Sequence, residues 1–399
     1  MAEAAYRPQW HRWRKLAAIA GAVALSACQT LVPRGPVEAP RAPAGRPQTP
    51  VRERPVDAGL PQDAQRHRVA LLVPLSGANA GVGQSLANAT QLALLDTRSE
   101  RVRITTYDTA GGAGAAATRA IAEGNRLILG PLLAEEVRAV APVARRAGVP
   151  VLSFSNDTMV AGGGAFVLGY SPAQSIERVV GHARRSGISR FAGLVPAGTY
   201  GQRASTSFLR SVESAGGQVV SLQTYDRGRA SLNAAVARIA RTSPYQAVLI
   251  ADGAGTAALA APLLRRGGGA GARVLGTELW NTDTALGTRP ALNGAWFASV
   301  PDTLYRQFAV KYRGRFGTAP YRLSSLGYDS VLLTVRIARD WQPGQPFPER
   351  RLTDADGFAG LDGAFRFGRD GVAQRALEVQ EVRGGAAVTV SPAPRSFED

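Results

Sequence analysis

The sequence predicts an α/β protein with two doubly wound parallel-sheet lobes joined by a multi-crossing hinge. Three observations point there. From Val69, short apolar runs alternate with segments of helical periodicity, and turn residues separate them. The alternation restarts near Phe191 with a second series of similar size. The tail departs from it, with two helical segments followed by short strands and turns, as expected of chain that passes back between two lobes.

The founding unit is 69–95. The apolar run VALLVPLSG meets a glycine-rich loop, ANAGVG, and then QSLANATQLALLD takes up helical spacing through Leu86, Ala89, Ala93 and Leu94. A buried strand feeding a helix through a tight turn opens a parallel sheet, and the unpaired N–H groups at such a helix start suit an anionic group. The same alternation then gives strand 102–107, helix 113–123, strand 127–129, helix 134–147, strand 151–154 and a short strand at 166–169. The second series runs through strand 191–195, helix 202–215, strand 218–225, helix 232–241, strand 247–251, helix 256–264 and strand 273–275. Helices at 303–316 and 323–341 and short strands over 357–390 complete the chain.

The N-terminus reads differently. Arg12, Arg14 and Lys15 precede an apolar stretch, Leu16–Leu25, which has the layout of a secretory signal and is too short to span a membrane. It ends in Leu25-Ser26-Ala27-Cys28, which resembles a bacterial lipobox, and Cys28 is the one cysteine in the chain. The expectation is a signal peptide over 1–27, a lipid anchor on Cys28 and a proline-rich tether over 28–66. Extended by its prolines, that tether reaches on the order of 100 Å. Gln29, rather than Asp, after the cysteine points by the bacterial sorting rule to a periplasmic protein held at the outer membrane.

Net charge is +17, yet only Lys15 and Lys311 are lysines, and the arginines scatter without a basic stripe interleaved with aromatics. No nucleic-acid partner is expected. With Cys28 acylated, no thiol remains for disulfide or metal chemistry, and neither metal nor cofactor is expected. The three histidines, His11, His67 and His182, assemble no Ser/His/Asp set, and no phosphate-cradling G-x-x-x-x-G-K-[ST] occurs. Glu135-Glu136 and Asp354/Asp356 read as solvated faces, with Glu135-Glu136 also favoured at a helix start by the helix dipole. The expectation is a protein that is not an enzyme. Trp280, Trp296 and Phe297 read first as core aromatics, with the cleft wall as the alternative.

Several motifs, in order, resemble the type I periplasmic-binding-protein family. They are Pro74-Leu75-Ser76-Gly77 after the first strand, Leu129-Gly130-Pro131 after the third, Tyr200-Gly201 opening the second lobe, Gly327-Tyr328-Asp329-Ser330, and 358–367 with Gly371 beyond it. The resemblance implies a domain over 67–399. Its first lobe takes about 67–170 with part of 290–340, and its second about 171–289 with part of the tail. It also implies a ligand cleft formed by Ser76, Gly77, Ala134, Glu135, Ser155, Asn156, Asp157, Tyr200, Asp252, Glu278 and Trp280. Two departures stand out. The third-strand loop carries Ala134 and Glu135 where the family's amino-acid receptors place a carboxylate-binding serine, and Asp252-Gly253 stands where an aromatic is common. Glu278 aligns with the acid that takes a ligand's ammonium.

The stretches 276–280, 294–298 and 361–367 resemble a group of lipoproteins within this fold, the penicillin-binding-protein activators. That resemblance implies a lipid-anchored regulator with a peptidoglycan synthase as partner, reaching it on the tether. The alternative is the substrate-binding lipoprotein of an ABC transporter for branched-chain amino acids or amides. A small-molecule ligand (an amino acid, amide or muropeptide) is compatible with either.

Overall fold

A computed structural model describes residues 65–394, apart from 243 and 268, and residue 397. The signal, Cys28 and nearly all of the tether lie outside the described residues.

The first lobe is a five-stranded parallel sheet in the order β2-β1-β3-β4-β5. Its elements follow the chain as β1 (His67–Val73), α1 (Ala80–Thr97), β2 (Val102–Asp108), α2 (Ala113–Ala122), β3 (Ile128–Leu129), α3 (Ala134–Arg146), β4 (Val151–Ser153) and β5 (Ala165–Val167). The unbroken apolar run of β1 has a physical reason. Val69, Leu71 and Val73 enter one core cluster while Ala70 and Leu72 enter the cluster on the opposite face. A strand covered by helices on both sides needs apolar residues at every position.

The second lobe repeats this plan with α4 (Pro172–Arg185), β6 (Arg190–Pro196), α5 (Thr199–Ser214), β7 (Gln218–Tyr225), α6 (Arg229–Ala240), β8 (Ala247–Ile250), α7 (Ala254–Arg265), β9 (Arg273–Gly276) and β10 (Trp296–Ser299). Its parallel strands run β7-β6-β8-β9-β10, the same order as in the first lobe. Here too β6 divides its side chains, Ala192 and Leu194 to one core and Phe191 and Val195 to the other.

The tail then builds both lobes. Helices α8 (Thr303–Phe316) and α9 (Ser324–Ile337) pack on α1. An antiparallel sheet of β11 (Phe358–Gly360), β12 (Gly363–Phe367) and β13 (Ala373–Arg375) adds Phe358, Phe365 and Phe367 to the first lobe's core. Finally β14 (Glu378–Arg383) and β15 (Ala386–Ser391) extend the second sheet beyond β10. The chain thus passes between the sheets at 168–171, 300–302 and 376–377.

One local expectation is corrected. The glycine-rich stretch after β1 is mostly helix, because α1 already begins at Ala80. Gly83 explains why glycine is needed inside a helix there: a Cβ would sit 1.7 Å from the Pro74 carbonyl oxygen. The second lobe repeats the device, with a Cβ on Gly201 falling 1.6 Å from the Pro196 carbonyl. In both lobes the helix start is drawn tightly against the end of the preceding strand.

The late motifs also acquire roles. A Cβ on Gly327 would lie 2.8 Å from Leu86 O, so this glycine sets the close approach of α9 to α1. Tyr328 donates to Asp96 at 2.8 Å, and Asp329 accepts from the Leu361 backbone N–H at 2.6 Å. Asp362 accepts from Arg322 and Ser325, each at 2.8 Å, and from Tyr170. These motifs hold the hinge and the first lobe together.

Candidate functional site

A cavity of about 310 Å³ lies between the lobes, large enough for a small organic molecule. From the first lobe its wall takes 132–135, Arg138 and 155–157; from the second it takes Pro172, Thr199, Tyr200 and Arg203. The parallel strands end on this side, so the loops after β3, β4 and β6 meet there. The N-terminal turns of α3 and α5 therefore both contribute to its wall. Each brings unpaired or partly paired N–H groups with partial positive charge.

Six of the sequence-predicted cleft residues come together here: Ala134, Glu135, Ser155, Asn156, Asp157 and Tyr200. Ser155 is buried and acts on its own loop: its N–H donates to Ser153 Oγ at 3.0 Å and its Oγ accepts from the Asp157 N–H at 3.1 Å. Glu136 reaches back to the Leu133 N–H at 3.1 Å and caps α3, while Glu135 stands exposed at the rim.

Two arginines that pattern reading overlooked also line the wall, beside the acids Glu135 and Asp157. Arg138 donates to Asp157 at 2.8 Å within the first lobe, and Arg203 reaches the same carboxylate from the second lobe at 3.5 Å. Asp157 thereby bridges the lobes. Arg203 Nε is buried with no hydrogen-bond partner among the described residues. The signal for both lay in helical spacing: Arg138 falls four residues after Ala134, and Arg203 four after Thr199, so each shares a face with its helix's cleft-facing start.

Five expected residues stand elsewhere. Ser76 Oγ donates to Asp108 at 3.0 Å, and Leu75 N–H binds the other oxygen of that carboxylate at 2.8 Å. With Gly77, Ser76 forms the turn after β1, away from the cavity wall. The backbone N–H groups of Leu75 and Ala110 hold the Asp108 carboxyl below the usual range. Asp252 accepts from the Tyr225 hydroxyl and from the Gly253 N–H, and so fastens β7 to the start of α7. Trp280 is a correction to the cleft expectation. It is fully buried in the second lobe's core, its Nε1 donates to the Asp252 carbonyl at 2.9 Å, and Gly276 leaves room for its ring. An indole of this size is worth more sealed against Phe297 than facing solvent.

Glu278 is the instructive case. It lies directly behind Tyr200, whose hydroxyl donates to it at 3.0 Å, and Ser175 donates to its other oxygen. Only 8% of the residue is exposed. Burial pushes its carboxyl above the ordinary range, against the bonds from Ser175 and Tyr200. Burial beside this acid likewise raises the Tyr200 hydroxyl well above its usual value. The acid aligned with the ammonium-binding position is thus saturated from within and shielded by Tyr200.

Among the described residues no three His, Cys, Asp or Glu side chains cluster to hold a metal, and no helix is long and apolar enough to cross a membrane.

Comparison with known proteins agrees with this architecture. The family model described as periplasmic binding protein matches residues 67–387. A Rhodospirillum rubrum structure assigned as a branched-chain amino acid ABC transporter superposes with a TM-score of 0.73 at 21% identity, over 82% of this chain and 100% of that one. A Rhodopseudomonas palustris solute-binding protein in complex with benzoate gives 0.62 at 18% identity, over 84% and 98%. LivJ from Streptococcus pneumoniae, in complex with isoleucine, gives 0.60 at 18%, over 82% and 100%. At these identities the likeness is one of fold. A curated Rickettsia prowazekii relative, the uncharacterized protein RP748, is 26% identical over 139 residues, and the match spans 37% of its length. The fold is the type I arrangement of periplasmic binding proteins. With a family match over most of its length and two lobes of the same strand order around one cleft, the chain belongs to the periplasmic binding protein family.

Proposed function

We propose that this protein is the solute-binding component of an ABC transporter and that its cleft takes a small organic acid lacking an α-ammonium group. The carrying observation is the cavity wall: two helix starts, Arg138 and Arg203 favour a carboxylate, while Glu278 is already occupied by Ser175 and Tyr200. A free ammonium entering here would find Asp157 held by two arginines and no second open acid except exposed Glu135. The related structures hold both an aromatic acid and an amino acid, so the fold accommodates either class. On this reading the partner is a membrane permease and its ATPase, and the anchor is a lipid on Cys28 with 28–66 as tether.

The test is a thermal-unfolding screen of the full chain against benzoate-type acids, branched-chain amino acids, their amides and muropeptides. A ligand at a hundred times its Kd adds about 2.7 kcal/mol, a resolvable shift. A shift with simple acids that disappears in Arg203→Ala is the expected result. Preference for the amino acids over the matched acids without the amino group would overturn it.

A second reading keeps the peptidoglycan-synthase regulator. It rests on the stretches 276–280, 294–298 and 361–367 and on the missing hydroxyl at Ala134. Silence across the small acids together with co-purification of a peptidoglycan synthase would put it first.

A further inference from the structure

Asp157 stands where the two lobes meet, and its hydrogen bonds divide by lobe. Its own N–H donates to Ser155 Oγ at 3.1 Å, and the Met159 N–H donates to its Oδ1 at 3.1 Å. Arg138 of α3 donates to its Oδ2 at 2.8 Å. These three bonds lie within the first lobe and fix the carboxylate there, with 8% of its side chain exposed. A fourth comes from α5 in the second lobe, where Arg203 Nη2 reaches Oδ1 at 3.5 Å. Among the described residues it is the one side-chain hydrogen bond across this cavity.

The two arginines are therefore held unequally. A charge-assisted contact of 2.8 Å has its preferred length, whereas at 3.5 Å directional bonding has largely faded. Coulomb attraction persists at that separation, so the pair still draws the lobes together. The Arg203 side chain is 41% exposed, and the other acid on this wall, Glu135, stands exposed at the rim. Arg203 is thus able to change partners, while Asp157 stays with its loop.

We propose that Asp157 is the cleft's own competing carboxylate. Without ligand it holds Arg203 across the gap as a latch, and an entering acid takes Arg203 from it while Arg138 stays behind. The competition rests on the reading of the ligand as an organic acid, and it makes Asp157 the residue that sets how strongly ligand charge counts. An acid must meet the repulsion of a fixed carboxylate before it gains Arg203. A neutral amide of the same shape leaves the pair in place and gains nothing from it.

The test uses the full chain, with Cys28→Ser removing the native thiol. Nitroxide labels go on Arg146→Cys and Arg210→Cys, exposed positions on α3 and α5. Electron–electron resonance then reads the separation of the two helices with no ligand added. Asp157→Asn keeps an oxygen for the Met159 N–H and removes the charge. The distances should lengthen, the open population rising by up to about fivefold, the scale of a partly exposed ion pair. Arg203→Gln should lengthen them equally, which keeps the test open if Asp157→Asn fails to fold. Unchanged distances in both variants would overturn the latch. Calorimetry with benzoate and benzamide as matched probes reads the competition. Loss of the fixed charge should tighten benzoate about tenfold and leave benzamide unaltered. Weaker benzoate binding in Asp157→Asn would make Asp157 an organiser of the site and refute competition. If neither chain binds benzoate, the fault lies with the acid reading, and the distances alone decide the latch.

Discussion

The two lobes share a strand order and a helix-start device, yet they place their acids differently about the space between them. The first lobe presents the start of α3 and Asp157 clasped by Arg138. The second presents Arg203 and Tyr200, with its own acid, Glu278, drawn inward behind that tyrosine. Topology and a cleft-side arginine were therefore repeated, while the placement of the acid was not. Repetition of the sheet is enforced by burial on both faces of β1 and β6, whereas the loops at the strand ends are free to differ.

The largest expected effect tests the repeated device itself. Gly83→Ala and Gly201→Ala each drive a methyl into a proline carbonyl, and overpacking of this kind should cost about 3 kcal/mol in denaturant unfolding. Near-equal losses would support equivalent helix starts. A loss in only one lobe would show that the other helix can shift.

A second expectation concerns the acids each half of the molecule buries. Burial, with the charge of Asp362 added, lifts the Asp329 carboxyl to about 7. For Asp362 burial acts the same way, but Arg322 and Arg375 outweigh it and hold that carboxyl below its usual range. The folded chain thus keeps a proton on Asp329 that the unfolded chain releases above about pH 4. Stability should fall as pH rises from about 4 to about 7, and Asp329→Asn should flatten that slope. If the slope survives there and disappears in Glu278→Gln, the second lobe's acid is responsible. Asp362 works in the opposite sense, its contribution being lost as pH falls.

The smallest effect on stability is expected at the lobe-bridging pair. Arg203 is 41% exposed in its side chain, so Arg203→Ala should cost about 1 kcal/mol or less in unfolding. The same change should weaken carboxylate binding markedly. A large stability loss without a binding change would make Arg203 a strut and shift the comparison between the lobes from chemistry to mechanics.

Much of this was legible in the residues. The helix over 303–316 and the strand over 218–225 have the bounds that periodicity predicts, because each has a clear apolar face or run and clear punctuation. The loop after β1 was less legible. Gly81 and Gly83 read as loop by their chemistry, and only contact with Pro74 shows that α1 needs its glycine at 83. Pattern alone likewise could not place Trp280, since whether an indole faces a cleft or a core depends on neighbours such as Phe297 and Gly276, which lie apart in sequence or act through absent side chains.

By itself the sequence determined the two-lobe α/β plan, since strands covered on both faces and helices with one apolar face leave periodic marks that need no partner to be read. Only tertiary structure decided which polar groups are spent and which remain. Arg138, Arg203 and Asp157 meet across the cleft, and Glu278 disappears behind Tyr200, through contacts between residues up to 78 positions apart. Charge acts through distance in space, and local pattern carries no record of it.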